Sequence, residues 1–146
     1  MEVSLSFQPE KDREEAGIAL MHMGHGHYEM VLTQRENKKV VLLRKTVFDL
    51  VTETISEPVP EGELQLKIVA DRYDYEFYYG VQGAYTLLGT AKVKLLSSEV
   101  IGGCIGVLVG IYASGNGEVC SNSAEVSWFD YEVLPVKPKK ALYAFD

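Results

Sequence analysis

The sequence predicts an all-β domain, a two-sheet antiparallel β-sandwich, and three observations carry that expectation. Apolar and polar residues alternate with a period of two along the chain, while the i, i+3, i+4, i+7 spacing of an amphipathic helix is scarce. The alternating runs are short and rich in β-branched and aromatic residues, and ten of them share 146 residues, which calls for two stacked sheets. Between the runs stand residues that supply positive φ or polar hairpin tips: Gly24-His25-Gly26, Glu36-Asn37-Lys38, Asp71-Arg72 and Gly80-Val81-Gln82-Gly83.

The first strand is expected over Glu2 to Phe7, where Glu-Val-Ser-Leu-Ser-Phe alternates without a break. Gly17 to Met23 and His27 to Arg35 flank the Gly24-His25-Gly26 tip, and Lys39 to Lys45 and Val47 to Thr54 continue a meander. Pro58 and Pro60 in the segment 56–62 cannot donate to a ladder and mark a crossover between the sheets. In Glu63 to Ala70, Leu64, Leu66, Ile68 and Ala70 take one face and Glu63, Gln65 and Lys67 the other, as in a sheet packed on one side only. Tyr75, Phe77 and Tyr79 share a face of the strand Tyr73 to Tyr79, which is followed by Tyr85 to Thr90, Gly106 to Ala113 and Glu125 to Val133. Trp128 and Phe129 of the last run are expected in the core with Tyr75, Phe77 and Tyr79, because stacked sheets need large side chains across a gap of about 10 Å. After Val133 the composition changes to prolines and lysines and then Ala141-Leu142-Tyr143-Ala144-Phe145-Asp146. The expected organisation is one sandwich over 2–134, followed by a linker and apolar C-terminal tail over 135–146.

Composition narrows the function. A chain of this length with 47% hydrophobic residues makes one core. Fourteen Lys+Arg against 21 Asp+Glu give a net charge of −7, which repels phosphate backbones and anionic lipid, so neither nucleic acid nor membrane is an expected partner. The longest apolar run falls short of the roughly 20 residues that span a bilayer as a helix, and Met1 leads into a strand pattern rather than a signal segment. Cys104 and Cys120 lack the spacing of a redox or zinc motif, and Cys104, in an apolar Gly-rich run, is expected to be a buried small hydrophobe.

Three groups of residues could carry chemistry. His22, His25 and His27 fall within six positions, but a metal site would require the hairpin tip to fold them onto one ion at about 2.0 to 2.1 Å, and a fourth ligand is not evident beside them. No metal and no cofactor is expected. Histidines at a hairpin tip also hydrogen-bond sugars, and aromatic rings pack on pyranose C–H faces. Tyr78, on the opposite face from Phe77, is the best exposed ring, so Tyr78, His25, His27 and Tyr28 are the candidate carbohydrate-binding residues. Glycoside hydrolysis needs two carboxyl groups roughly 5 to 10 Å apart. Glu14, Glu15, Asp71, Asp74, Glu76 and Glu99 each lie beside a turn or alternate with apolar residues as a solvated face does, so no catalytic residue is assigned.

Several stretches resemble one family in register. Phe7-Gln8-Pro9 followed by Glu14-Glu15-Ala16-Gly17-Ile18 resembles its F-x-P and E-E-A-G-L. Phe77-Tyr78-Tyr79-Gly80-Val81-Gln82-Gly83 resembles its F-x-Y-S-x-D-G hairpin, and Gly102-Gly103-Cys104-Ile105-Gly106-Val107-Leu108-Val109-Gly110-Ile111-Tyr112-Ala113 resembles its G-G-F-T-G-A-F-V-G-L-Y-A run. Ala124 to Tyr131 is similar to A-x-F-D-W-F-x-Y. Together these identify the chain as similar to the C-terminal concanavalin A-like β-sandwich of glycoside hydrolase family 43 β-xylosidases and arabinofuranosidases.

The resemblance implies a concanavalin A-like jelly roll that is not itself the enzyme, since the family's three catalytic carboxylates lie in a separate propeller domain. The expected role is a non-catalytic accessory sandwich that supports the catalytic propeller, its partner, and oligomerisation. An independent carbohydrate-binding module for xylan or a related glycan is the alternative. Ser127 stands where the family has an Asp, which removes an oxygen ligand from any structural calcium. Family sandwiches begin about a strand before the position matching Glu2, so an open sheet edge and a homo-oligomer formed through it are expected.

Overall fold

A computed structural model describes residues 1–135, so the expected linker and tail fall almost wholly outside the described residues. The ten expected strands are all present. They are β1 (Glu2–Ser6), β2 (Glu15–Met23), β3 (Gly26–Arg35), β4 (Lys38–Val47), β5 (Leu50–Ile55), β6 (Glu63–Ala70), β7 (Asp74–Val81), β8 (Ala84–Lys92), β9 (Leu108–Ser114) and β10 (Glu125–Asp130). Two five-stranded sheets, ordered β10-β1-β6-β7-β8 and β5-β4-β3-β2-β9, are antiparallel throughout. The Pro58–Pro60 segment carries the chain from β5 in one sheet to β6 in the other, as a crossover must.

One core lies between the sheets. Val3, Leu5, Leu64, Leu66, Ile68 and Phe77 from the first face Ile18, Leu20, Tyr28, Met30, Leu32, Val41 and Leu43 from the second, all fully or almost fully buried. Gly17 is required by the close approach of β2 to β3. A Cβ there would lie 2.1 Å from the Met30 carbonyl oxygen and 2.7 Å from the Val31 Cα, both rigid backbone atoms.

Several boundaries and environments differ from expectation. Phe48, at φ 56°, turns β4 into β5, so the run from Val47 is a hairpin tip and not continuous strand. A 3-10 turn (Val93–Leu96) and a four-residue helix, α1 (Ser98–Ile101), fill the space after β8, with Leu96 and Ile101 as their buried anchors. The following glycines keep the chain irregular until Leu108, which leaves Cys104 exposed on a loop and not buried. Trp128 and Phe129 are half-exposed and not core. Trp128 pairs with Ser4, which lies on the opposite face of β1 from the core residues Val3 and Leu5, and Phe129, although opposite Val3, lies on a strand that is the last of its sheet among the described residues.

Candidate functional site

The three histidines point to different partners. Nε2 of His22 is 2.7 Å from the Gly102 carbonyl oxygen, and Nε2 of His25 is 3.2 Å from that of Ile101. These contacts tie the β2–β3 hairpin to the C-terminal end of α1, and the His25 ring stacks on Phe48 at 4.9 Å. His27 faces the other way, with Nδ1 2.6 Å from Glu29 Oε1. Among the described residues no grouping of three or more His, Cys, Asp or Glu could hold a metal ion.

Tyr28 is a core residue and not part of a sugar platform. It is fully buried, its hydroxyl donates to the Lys92 carbonyl at 2.8 Å, and Tyr75 and Phe77 meet it edge-on at 6.0 and 6.3 Å. Burial pushes its phenol up to about 12. Tyr78 lies half-buried on β7 and donates to Glu76 Oε2 at 2.6 Å, a bond that holds its phenol above the ordinary range. Tyr78, His25 and His27 are therefore not gathered into one surface: the histidines cluster at the β2–β3 tip, and Tyr78 is on the other sheet.

The strongest polar constellation lies on the outer face of the second sheet. Glu29, Arg44 and Glu53 sit side by side on β3, β4 and β5. Arg44 Nη1 donates to Glu29 Oε2 at 2.7 Å, and Nη1 and Nη2 donate to the two oxygens of Glu15 at 3.2 and 2.9 Å. The Tyr112 hydroxyl from β9 donates to Glu15 Oε1 at 2.9 Å. Glu14 and Glu15 are thus buried, not the solvated pair that the sequence suggests. Glu14 accepts from the Glu10 backbone N–H at 2.8 Å, which closes the turn ahead of β2 and holds its carboxyl below the ordinary value.

Burial pushes the Glu15 carboxyl upward, but hydrogen bonds and charge from Arg44, with the Tyr112 hydroxyl, more than offset it and leave it below the usual carboxylate range. Burial likewise raises the Tyr112 phenol, helped by Glu29 and Glu15. Glycosidase chemistry needs one carboxylic acid free to give up its proton beside a carboxylate free to attack or to activate water. Glu15 and Glu29 are both committed to one guanidinium, and this arrangement is that of a structural ion cluster. Counting back from the Glu36-Asn37 tip places Glu29 opposite Arg44, so that half was readable in sequence. Glu15 was not, because the β2–β3 register shifts between Met21 and Met23.

Residues 1–132 match the family model described as the β-xylosidase C-terminal concanavalin A-like domain. The chain is similar to a non-reducing-end α-L-arabinofuranosidase of Bacteroides ovatus, 37% identical over 131 residues that make up 89% of this chain and 25% of that protein. It is similar to a xylosidase/arabinosidase of Butyrivibrio fibrisolvens, 29% identical over 133 residues, 88% of this chain and 25% of that one. Among solved structures, a family 43 protein of the Bacteroides ovatus xyloglucan utilisation locus superposes with a TM-score of 0.87 at 36% identity, covering 91% of this chain and 27% of that one. The fold also matches a xylan β-1,4-xylosidase of Bacillus halodurans, with a TM-score of 0.74 at 22% identity over 86% of this chain and 26% of that one. The chain spans about a quarter of the length of the curated relatives it matches.

Proposed function

Since the chain belongs to the family of β-xylosidase C-terminal concanavalin A-like domains, we propose that it is the non-catalytic accessory sandwich of a family 43 glycosidase, bracing the catalytic propeller and helping to shape the mouth of its active site. The observation that carries this reading is the family match across 1–132 in a chain that corresponds to only a quarter of the relatives' length. The ion cluster supports it as well, because the best-placed carboxylates, Glu15 and Glu29, are used to hold the sheet together. A role in oligomerisation through an open sheet edge is part of the proposal. It is supported by β5, an edge strand whose six residues are all exposed, Leu50, Val51 and Ile55 among them.

The test is complementation. The catalytic part of the Bacteroides ovatus relative is expressed without its own sandwich, alone and with this chain fused in the sandwich's place. The fusion is expected to regain solubility and arabinofuranosidase turnover that the truncated enzyme lacks. A fusion no better than the truncated enzyme would overturn the accessory role.

A further inference from the structure

Two sheet ends meet on one side of the sandwich, β8 of the first sheet and β5 of the second. The β8 edge is blocked. Its ladder with β7 is bulged between Phe77 and Tyr78, and Lys45 Nζ and the Tyr28 hydroxyl donate to its Thr90 and Lys92 carbonyls. By contrast β5, Leu-Val-Thr-Glu-Thr-Ile, carries no lysine, proline or bulge, and its one charge, Glu53, is met by Arg44 at 3.4 Å and Arg35 at 4.0 Å. The ladder decides which backbone groups of β5 are left over. The Phe48 N–H donates to the His25 carbonyl at 2.7 Å, and the Ser56 N–H to the Val41 carbonyl at 2.9 Å. Even-numbered residues of β4 therefore bond to β3 and odd-numbered ones to β5, so Leu50, Thr52 and Thr54 turn their N–H and C=O groups toward β4. Those of Val51, Glu53 and Ile55 point out of the edge of the sheet.

We propose that β5 pairs antiparallel with β5 of a second copy of this chain, joining the two outer edges across a two-fold axis; this rests on the oligomerisation reading above and names its partner. The charges select one register. Opposed residues of an antiparallel pair share a face, and like charges set directly opposite destabilise it. Centring the axis on Glu53 opposes two carboxylates, and centring it on Val51 sets Asp49 of the turn against Glu53. Centring it on Thr54 brings Pro58, beyond the end of β5, opposite Leu50. Centring it on Thr52 keeps the overlap inside the strand. Val51 of each copy then exchanges hydrogen bonds with Glu53 of the other, Leu50 meets Thr54, and Leu50 and Val51, 69 and 55% exposed in the single chain, gain cover.

Light scattering on the full 146-residue chain tests this beside Val51→Lys/Ile55→Lys, two positions already exposed on the edge strand. The unaltered chain should have the mass of a dimer, and the variant that of a monomer with the same circular dichroism. A cysteine reads the register. Thr52 and its counterpart form a pair without mutual hydrogen bonds, with Cα atoms about 4.5 Å apart, which lies within disulfide range. In a Cys104→Ser/Cys120→Ser background, Thr52→Cys should therefore oxidise to a linked dimer while Thr54→Cys stays unlinked. No link at 52, or a link at 54 in its place, overturns the proposal. A monomeric unaltered chain overturns it together with the oligomerisation reading, and a dimer that survives the two lysines overturns this interface alone. The accessory role is tested separately, by the fusion.

Discussion

The Arg44 guanidinium holds both oxygens of the Glu15 carboxylate, at 3.2 and 2.9 Å, across the outer face of the second sheet. Glu29 accepts from the same group at 2.7 Å, so one cation satisfies two acids from two neighbouring strands. Removing one partner of a buried ion pair leaves an uncompensated charge, and that costs about 3 to 5 kcal/mol. Arg44→Leu is expected to destabilise the fold by that amount in urea denaturation, and Glu15→Gln/Arg44→Leu by clearly less. Equal losses in the single and double variants would show that the cluster is not what Arg44 stabilises.

The same pair sets an acid limit. The folded Glu15 carboxyl lies below its ordinary value of 4.5, so its contribution is fully present above that value and is lost as pH falls through the folded value. Urea midpoints should be flat from pH 7 to about 5 and then fall in more acid solution. In Arg44→Leu, burial without the cation favours the protonated acid, and this part of the profile should reverse, with stability rising as pH falls through the carboxylate range. A parallel profile in the variant would contradict the assignment.

Gly17→Ala should be costly although it adds one methyl. The added carbon meets Met30 and Val31 backbone, which cannot rotate away, so the β2–β3 ladder must shift. A loss of about 1 to 3 kcal/mol in urea unfolding is expected, the range for overpacked interiors. The same change at Gly110, where an added carbon meets nothing within 4 Å, serves as the control and should be nearly neutral.

The ten strands were legible because period-two patterning depends only on which face each residue turns to the core, as in Leu64, Leu66 and Ile68. What escaped depends on neighbours that patterning cannot see. Trp128 and Phe129 look like core rings by composition, but only the strand order shows that β10 is the end of its sheet among the described residues. Tyr28 looked available from its place near a hairpin tip, but its register with Leu20 turns it inward between Tyr75 and Phe77. Four-residue α1 is too short to show a helical period, and the Phe48 turn uses a left-handed residue that is not glycine.

Glycan binding should be weak. Tyr28 is sealed in the core, Tyr78 is occupied by Glu76, and the histidines at the β2–β3 tip belong to a different sheet from Tyr78. Calorimetric titration with xylo-oligosaccharides is expected to show no saturable binding below about millimolar, that is, no more than about 4 kcal/mol of binding free energy. Micromolar affinity that disappears in Tyr78→Ala would instead support an independent carbohydrate-binding module.

The most direct measurement is turnover by the chain alone. Purified protein is incubated at high concentration with aryl β-xyloside and aryl α-L-arabinofuranoside, beside Glu15→Gln and Glu29→Gln. With both carboxylates bound to Arg44, release of the aryl group should equal the protein-free blank for all three proteins. Hydrolysis that scales with the wild-type chain and vanishes in either variant would contradict the accessory assignment.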